Sequence, residues 1–186
     1  MSVIIAIKDK DRVVVGCDIR MSNPNYYYDD YYTRPKAIHL SDNIIVGVAG
    51  ELRILDIISC ILTGYIDENI SRFDIVSKLI PRLRTEIEGT PSFEDNGEMA
   101  GEIIIAAKNR IYIIKSNFDV EESRDYAVIG AGRDSAVSYL YAIREFKYCT
   151  EERIKGAIEA TSKFVVSVSK EAYIGDTKGK EFTKYE

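Results

Sequence analysis

Apolar residues open the chain in two short, almost unbroken runs, residues 3–7 and 12–15, separated by Asp9, Lys10 and Asp11. Short β-branched runs on either side of a polar turn predict a tight antiparallel hairpin, and continuous apolarity predicts strands covered on both faces. A polar stretch, 23–35, leads to a second hairpin, 36–40 and 43–48, turning at Ser41 and Asp42. Four strands therefore precede any helix. After Gly50 the period changes: Leu52, Leu55, Ile58, Ile61 and Leu62 recur at helical spacing, and a second helix runs from about Ser71 through Ile75, Leu79, Ile80 and Leu83. Pro81 within it predicts a kink or an early end. Residues 89–101 have loop composition, and strands follow at 102–107, 111–115 and 126–129, the last ending in Gly130, Ala131 and Gly132. Helices are expected from Asp134 to about Phe146 and from Glu151 to about Ser169, the second capped by Thr150. A short strand at 172–174 and a charged tail complete the pattern.

Strands, two helices, strands, two helices and a strand do not alternate as βαβ units, so the order argues against a parallel sheet. It predicts an α+β fold of two antiparallel sheets packed between helix layers. At 186 residues, 46% hydrophobic and 30% charged, the chain can bury one substantial core, and residues 1–186 are expected to form a single domain. The net charge of −5 comes without a run of Lys or Arg, which argues against a nucleic-acid partner. Cys17, Cys60 and Cys149 are odd in number and widely scattered, which fits neither a disulfide framework nor a zinc cluster and points to a reducing cytoplasm. Residues 3–7 are apolar without a preceding basic segment and too few to span a bilayer, so neither a signal peptide nor a membrane partner is expected.

The candidate chemistry narrows quickly. His39 is the one histidine, so any Ser/His or Cys/His arrangement would have to use it, yet it lies mid-strand on the face opposite Lys36 and is expected to be structural. No GxxxxGK[ST] loop or GxSxG elbow occurs, and Gly130-Ala131-Gly132 is too short for a dinucleotide fingerprint. No metal or organic cofactor is expected. What remains is Ser2. Loss of the initiator Met1 would leave it with both a hydroxyl and a free α-amine, whose pKa of about 8 suits a general base near neutrality.

The surroundings of Ser2 resemble the proteasome β-subunit and HslV family of N-terminal nucleophile hydrolases. Ser2-Val3-Ile4-Ile5-Ala6-Ile7 is similar to that family's opening strand, which begins with a nucleophilic Thr. Asp18, Arg20 and Ser22 match its spaced acidic, Arg and Thr positions. Lys36-Ala37-Ile38-His39-Leu40 matches the active-site Lys and the apolar pattern after it. Gly47-Val48-Ala49-Gly50-Glu51 matches the glycine segment before the first helix, and Gly130-Ala131-Gly132 a Gly-Ser-Gly before the third. The resemblance implies a four-layer αββα sandwich. It implies Ser2 as nucleophile, Lys36 as the cation that activates it, Asp18 as the partner of Lys36 and the Gly47 N–H as oxyanion donor, with Arg20, Ser22 and Ala49 contacting substrate. It further implies a peptide or unfolded protein substrate, a homo-oligomeric ring and a possible ATPase unfoldase.

Three positions depart from the family pattern. Ser stands for Thr at position 2 and lacks the methyl that stiffens χ1. Ala131 stands where a hydroxyl is usual, and the segment 164–170 carries no Asp or Glu where proteasome β-subunits have an acidic residue. Three functions stay open: a Ser2-dependent peptidase, an inactive proteasome-fold protein working in assembly or binding, and an amidase of small molecules. The tyrosine cluster Tyr26, Tyr27, Tyr28, Tyr31 and Tyr32 suits substrate binding or a subunit contact equally well.

Overall fold

The computed structural model describes residues 2–22, 27–28, 35–63 and 67–186. The first apolar runs form β1 (Ile4–Asp9) and β2 (Arg12–Asp18), paired antiparallel from Ile4 opposite Cys17 to Asp9 opposite Arg12. A ribbon of β3 (Met21–Ser22) and β4 (Tyr27–Tyr28) comes next, so six strand segments rather than four precede the first helix. Tyr26, Tyr31 and Tyr32 lie outside the described residues, as do the side chains of Tyr27 and Tyr28. The second hairpin is β5 (Ala37–Ser41) against β6 (Ile44–Gly50).

Helix α1 (Arg53–Leu62) buries Ile54, Leu55, Ile58, Ile61 and Leu62, the face its spacing predicts. The second helical segment consists of α2 (Arg72–Asp74), a π-helical turn (Ile75–Leu79) and α3 (Ile80–Ile87). It does not end at Pro81. Proline has no N–H to give the carbonyl of Ser77 four residues earlier, and the chain widens just ahead of it, with the Ile80 N–H reaching back five residues to Ile75.

Strands β7 (Gly101–Ala107), β8 (Arg110–Ile114), β9 (Val120–Ser123) and β10 (Tyr126–Ile129) follow. β9 was not expected, because Val-Glu-Glu-Ser has no apolar pattern; it is an edge strand, where polar side chains discourage further pairing. Helices α4 (Arg133–Ala142) and α5 (Thr150–Ser162) both stop short of their predicted ends. The cap of α5 is Cys149 rather than Thr150: its sulfur accepts from the Glu152 N–H while Glu152 accepts the Cys149 N–H at 2.9 Å. β11 (Ala172–Asp176) extends the predicted last strand, and β12 (Thr183–Tyr185) forms from the charged tail.

Strand parity builds the layers. One sheet has the order β10-β1-β2-β11-β12 and the other β5-β6-β7-β8-β9, all antiparallel. Ile4, Ala6, Val13, Val15 and Ile129 of the first sheet face Ile45 and Ile104 of the second. The alternate residues Val3, Ile5 and Ile7 pack under Leu140 of α4 and Ile154 and Ile158 of α5. On the other side Val46, Val48 and Ile103 meet Leu55 and Ile58 of α1 and Leu83 of α3. Each fully buried Ile or Leu contributes about 1.5–3 kcal/mol, which explains why both faces of β1 and β6 are apolar. The result is the expected helix–sheet–sheet–helix sandwich. Antiparallel pairing also brings the start of β1, the end of β2, the start of β5, the end of β6, the start of β7 and the end of β10 to one end of it.

Candidate active site

Asp18 closes β2 at that end and is fully buried. Its Oδ1 accepts from the Lys36 ammonium at 2.8 Å and from the Val3 N–H at 2.9 Å, and its Oδ2 accepts from the N–H groups of Arg20 at 3.1 Å and Ser169 at 3.4 Å. Lys36, 2% exposed, gives a second hydrogen bond to the Arg20 carbonyl. A buried ion pair is tolerated when its remaining polar atoms are also satisfied, and here four donors converge on one carboxylate. Because the same oxygen holds Val3 and Lys36, the ammonium is fixed beside the backbone that carries Ser2.

Ser2 is 5% exposed and lines a cleft of about 310 Å³ with Ala49, Gly50, Gly101, Gly130 and Ala131. Its carbonyl accepts from the Gly132 N–H at 3.3 Å. Gly130 has φ +90°, and a Cβ there would stand 2.3 Å from the Ser2 carbonyl oxygen, so both conformation and space require glycine.

Sequence-predicted residues divide at this point. Ser2, Asp18, Lys36, Arg20 and Ala49 come together at the sandwich end. Arg20 places its guanidinium on the Val166 carbonyl at 2.6 Å and uses its backbone at both ends of the ion pair, which shapes the site. Ser22 contributes backbone to β3, and its side chain lies outside the described residues. Gly47 is a correction. It lies within the inter-sheet core, where an added Cβ would touch Ile4 and Ala37, and it does not line the cleft. The bonds Glu51 N–H to Ala100 C=O and Lys108 N–H to Asn43 C=O set the ladder parity and turn the Gly47 N–H toward Ile104 on β7. Gly50 has the opposite parity: like the Val48 N–H, which bonds the Lys36 carbonyl, its N–H faces the β5 side. Gly50 also lines the cleft.

The residues missed from sequence are Gly50, Ser169 and Glu102. The Ser169 hydroxyl accepts the Ile19 N–H at 3.1 Å while its N–H serves Asp18, and Glu102 accepts the Gly130 N–H at 3.1 Å. Only Gly50, a glycine between a strand and a helix, left a sequence signal. His39 is scaffold as expected: its ring packs on Phe182 at 5.1 Å, and burial pushes its pKa down. Cys17, buried in the core, has its thiol pushed up to about 12 by desolvation, against the opposing field of Lys36.

No family model and no curated protein sequence matches the chain. Solved structures do. BPH of Thiobacillus denitrificans in complex with epoxomicin is 16% identical with a TM-score of 0.74 over 94% of this chain and 97% of that one. A second structure of T. denitrificans BPH is 15% identical with a TM-score of 0.76, covering 94% and 96%. Eukaryotic HslV from Trypanosoma brucei is 14% identical with a TM-score of 0.69, covering 94% and 98%. The chain has the proteasome/HslV-like fold. At this identity the likeness is one of architecture. In the proteasome-like fold Ala131 lies on the cleft wall, and Val166, in the segment without an acid, offers its carbonyl to Arg20. Among the described residues, no helix is long and apolar enough to cross a membrane.

Proposed function

We propose that the protein hydrolyses peptide bonds with Ser2 as an N-terminal nucleophile. The carrying observation is the shared Asp18 oxygen that fixes the Lys36 ammonium next to the strand start bearing a buried, cleft-lining hydroxyl. After removal of Met1, the Ser2 α-amine takes the hydroxyl proton as Oγ bonds to the substrate carbonyl carbon. Lys36 stabilises the developing negative charge on Oγ, and the Gly50 N–H, in the role the resemblance gave to Gly47, receives the oxyanion. Collapse expels the amine product with the proton held by the α-ammonium, and water then hydrolyses the ester. A homo-oligomeric ring and a protein or peptide substrate complete this proposal, supported by the HslV-like architecture. Light scattering that gives a monomer at micromolar concentration would refute the ring and favour a small-molecule amidase.

Epoxomicin, the compound bound by T. denitrificans BPH, is the probe of choice. It should add one mass equivalent to the wild-type protein and none to Ser2→Ala, and intact mass should show Met1 absent. Labelling that persists in Ser2→Ala sinks the assignment. Ala131 on the cleft wall favours one second reading, a scaffold that binds without cleaving. In that case Met1 is retained and no label forms.

A further inference from the structure

The cleft that contains Ser2 has a one-sided electrostatic character. Glu94 and Glu98, from the loop before β7, and Glu102 on β7 all line it, and among the described residues no Lys, Arg or His does. Glu98 accepts the Ser116 hydroxyl at 2.9 Å and Glu102 the Gly130 N–H at 3.1 Å. Glu94 has a 3.4 Å contact from the Asn96 amide. None of the three forms an ion pair among the described residues. Ser2, which lines the same cleft, is 5% exposed, and its hydroxyl has no hydrogen-bond partner among the described residues. The cleft therefore presents a hydroxyl with no protein partner among the described residues, beside three carboxylates without an ion-pair partner among them.

We propose that this cleft takes substrates bearing a cationic side chain next to the bond presented to Ser2. Like charges in one concave space raise each other's energy, and low-dielectric walls focus their field, so a guanidinium or ammonium entering the cleft relieves the repulsion while an anion is excluded. Among the described residues no group of three or more His, Cys, Asp or Glu could hold a metal ion; the occupant proposed is an organic cation. Glu102 is anchored on the Gly130 N–H, so its charge stands beside the turn whose Gly132 N–H binds the Ser2 carbonyl.

The hydrolytic part of this inference rests on Ser2 being the nucleophile; the binding part does not, and the experiment separates them. Three short internally quenched peptides, alike except for Arg, citrulline or Glu beside the scissile bond, are titrated into Ser2→Ala and their hydrolysis is followed with the wild type. The Arg peptide should bind Ser2→Ala about fivefold or more tighter than the citrulline peptide, and the Glu peptide weakest. The Arg preference should fall as salt is raised. It should disappear in Ser2→Ala combined with Glu94→Gln, Glu98→Gln and Glu102→Gln, and Glu102→Gln alone should reduce it if the triple change does not fold. Equal affinity for Arg and citrulline, or a preference that survives the Gln substitutions, overturns the inference. Selective binding without wild-type hydrolysis upholds it and overturns only the peptidase assignment; hydrolysis without selectivity does the reverse.

Discussion

Lys36 and Asp18 form a buried ion pair, Nζ to Oδ1 2.8 Å, in which the carboxylate has three further hydrogen bonds to the fold and the ammonium one, among the described residues. Three backbone N–H groups remain on Asp18 if Lys36 is removed, whereas among the described residues the Lys36 ammonium keeps the Arg20 carbonyl alone if Asp18 is removed. The two truncations are therefore unequal. Lys36→Ala is expected to cost about 1–3 kcal/mol, the scale of a lost charged hydrogen bond, and to slow epoxomicin labelling about a hundredfold or more. Asp18→Ala is expected to cost about 3–5 kcal/mol, because it strands a buried cation. Melting and labelling on both variants check this, and a Lys36→Ala protein that melts far lower yet labels at the wild-type rate would make Lys36 scaffold.

Gly130→Ala places a methyl against the Ser2 carbonyl in a backbone conformation with φ +90°. It should lower stability by about 1–3 kcal/mol through strain and displace Ser2, so labelling should fall more than melting alone explains. Gly132 is the control for position, since an added Cβ there meets Thr161 and Val3 rather than Ser2. Comparable labelling by folded Gly130→Ala and wild type would show that Ser2 tolerates movement.

Parity separates the two candidate oxyanion glycines. Gly50→Ala has φ +135° and a Cβ 2.4 Å from the Ala100 carbonyl oxygen, so it strains the β6 end as well as the cleft. Gly47→Ala meets only Ile4 and Ala37 side chains at 3.1–3.3 Å. Labelling per folded molecule should drop steeply for Gly50→Ala and stay close to wild type for Gly47→Ala. The opposite ranking would return the oxyanion role to Gly47.

Thiol reactivity should follow burial. Cys60 and Cys149 are exposed, while Cys17 is buried with its thiol pushed up to about 12. Native protein treated with iodoacetamide near pH 8 should take up label at Cys60 and Cys149 and acquire the third only in denaturant, as peptide mapping would show. Labelling of Cys17 in the native protein would contradict the packing between the sheets.

His39 gives an acid-side dependence of stability. Its pKa is lowered in the fold by desolvation, against the opposing field of Asp176. The unfolded chain therefore takes up the proton first, so the contribution is complete above about 6.5, is lost as pH falls from there to the lower folded value, and is level beneath it. In the difference between wild type and His39→Leu, denaturant midpoints should diverge across that window and run parallel above it. A difference independent of pH would mean that the imidazole titrates alike in both states.

Much of the architecture was legible because burial on both faces writes itself into composition: Val3 to Ile7 have no polar residue to spare, and α1 shows its apolar face at helical spacing. β9 was illegible since Val-Glu-Glu-Ser owes its pairing to an available neighbouring edge rather than to its own pattern. At the site, Asp18 and Lys36 were legible through the family pattern that they match in order along the chain. Ser169 was not, because its contribution is a backbone N–H and an accepting hydroxyl that many residue types or positions could supply. The choice between Gly47 and Gly50 depends on which way each N–H points, and that is a property of register across two strands, which no local pattern contains.

The four donors to Asp18 come from positions 3, 20, 36 and 169, and β2, which it terminates, pairs on one edge with β1 and on the other with β11. During ribosomal synthesis the first three donors and β1 emerge early, but the fourth donor and β11 emerge only after most of the polypeptide has been made. Until then the nascent chain holds β2 with a free edge and a carboxylate missing one of its partners. Closure of such long-range contacts is the slow kind of folding step, and the hydrogen-bonded shell of Asp18 cannot be complete until residues 169–176 have been made.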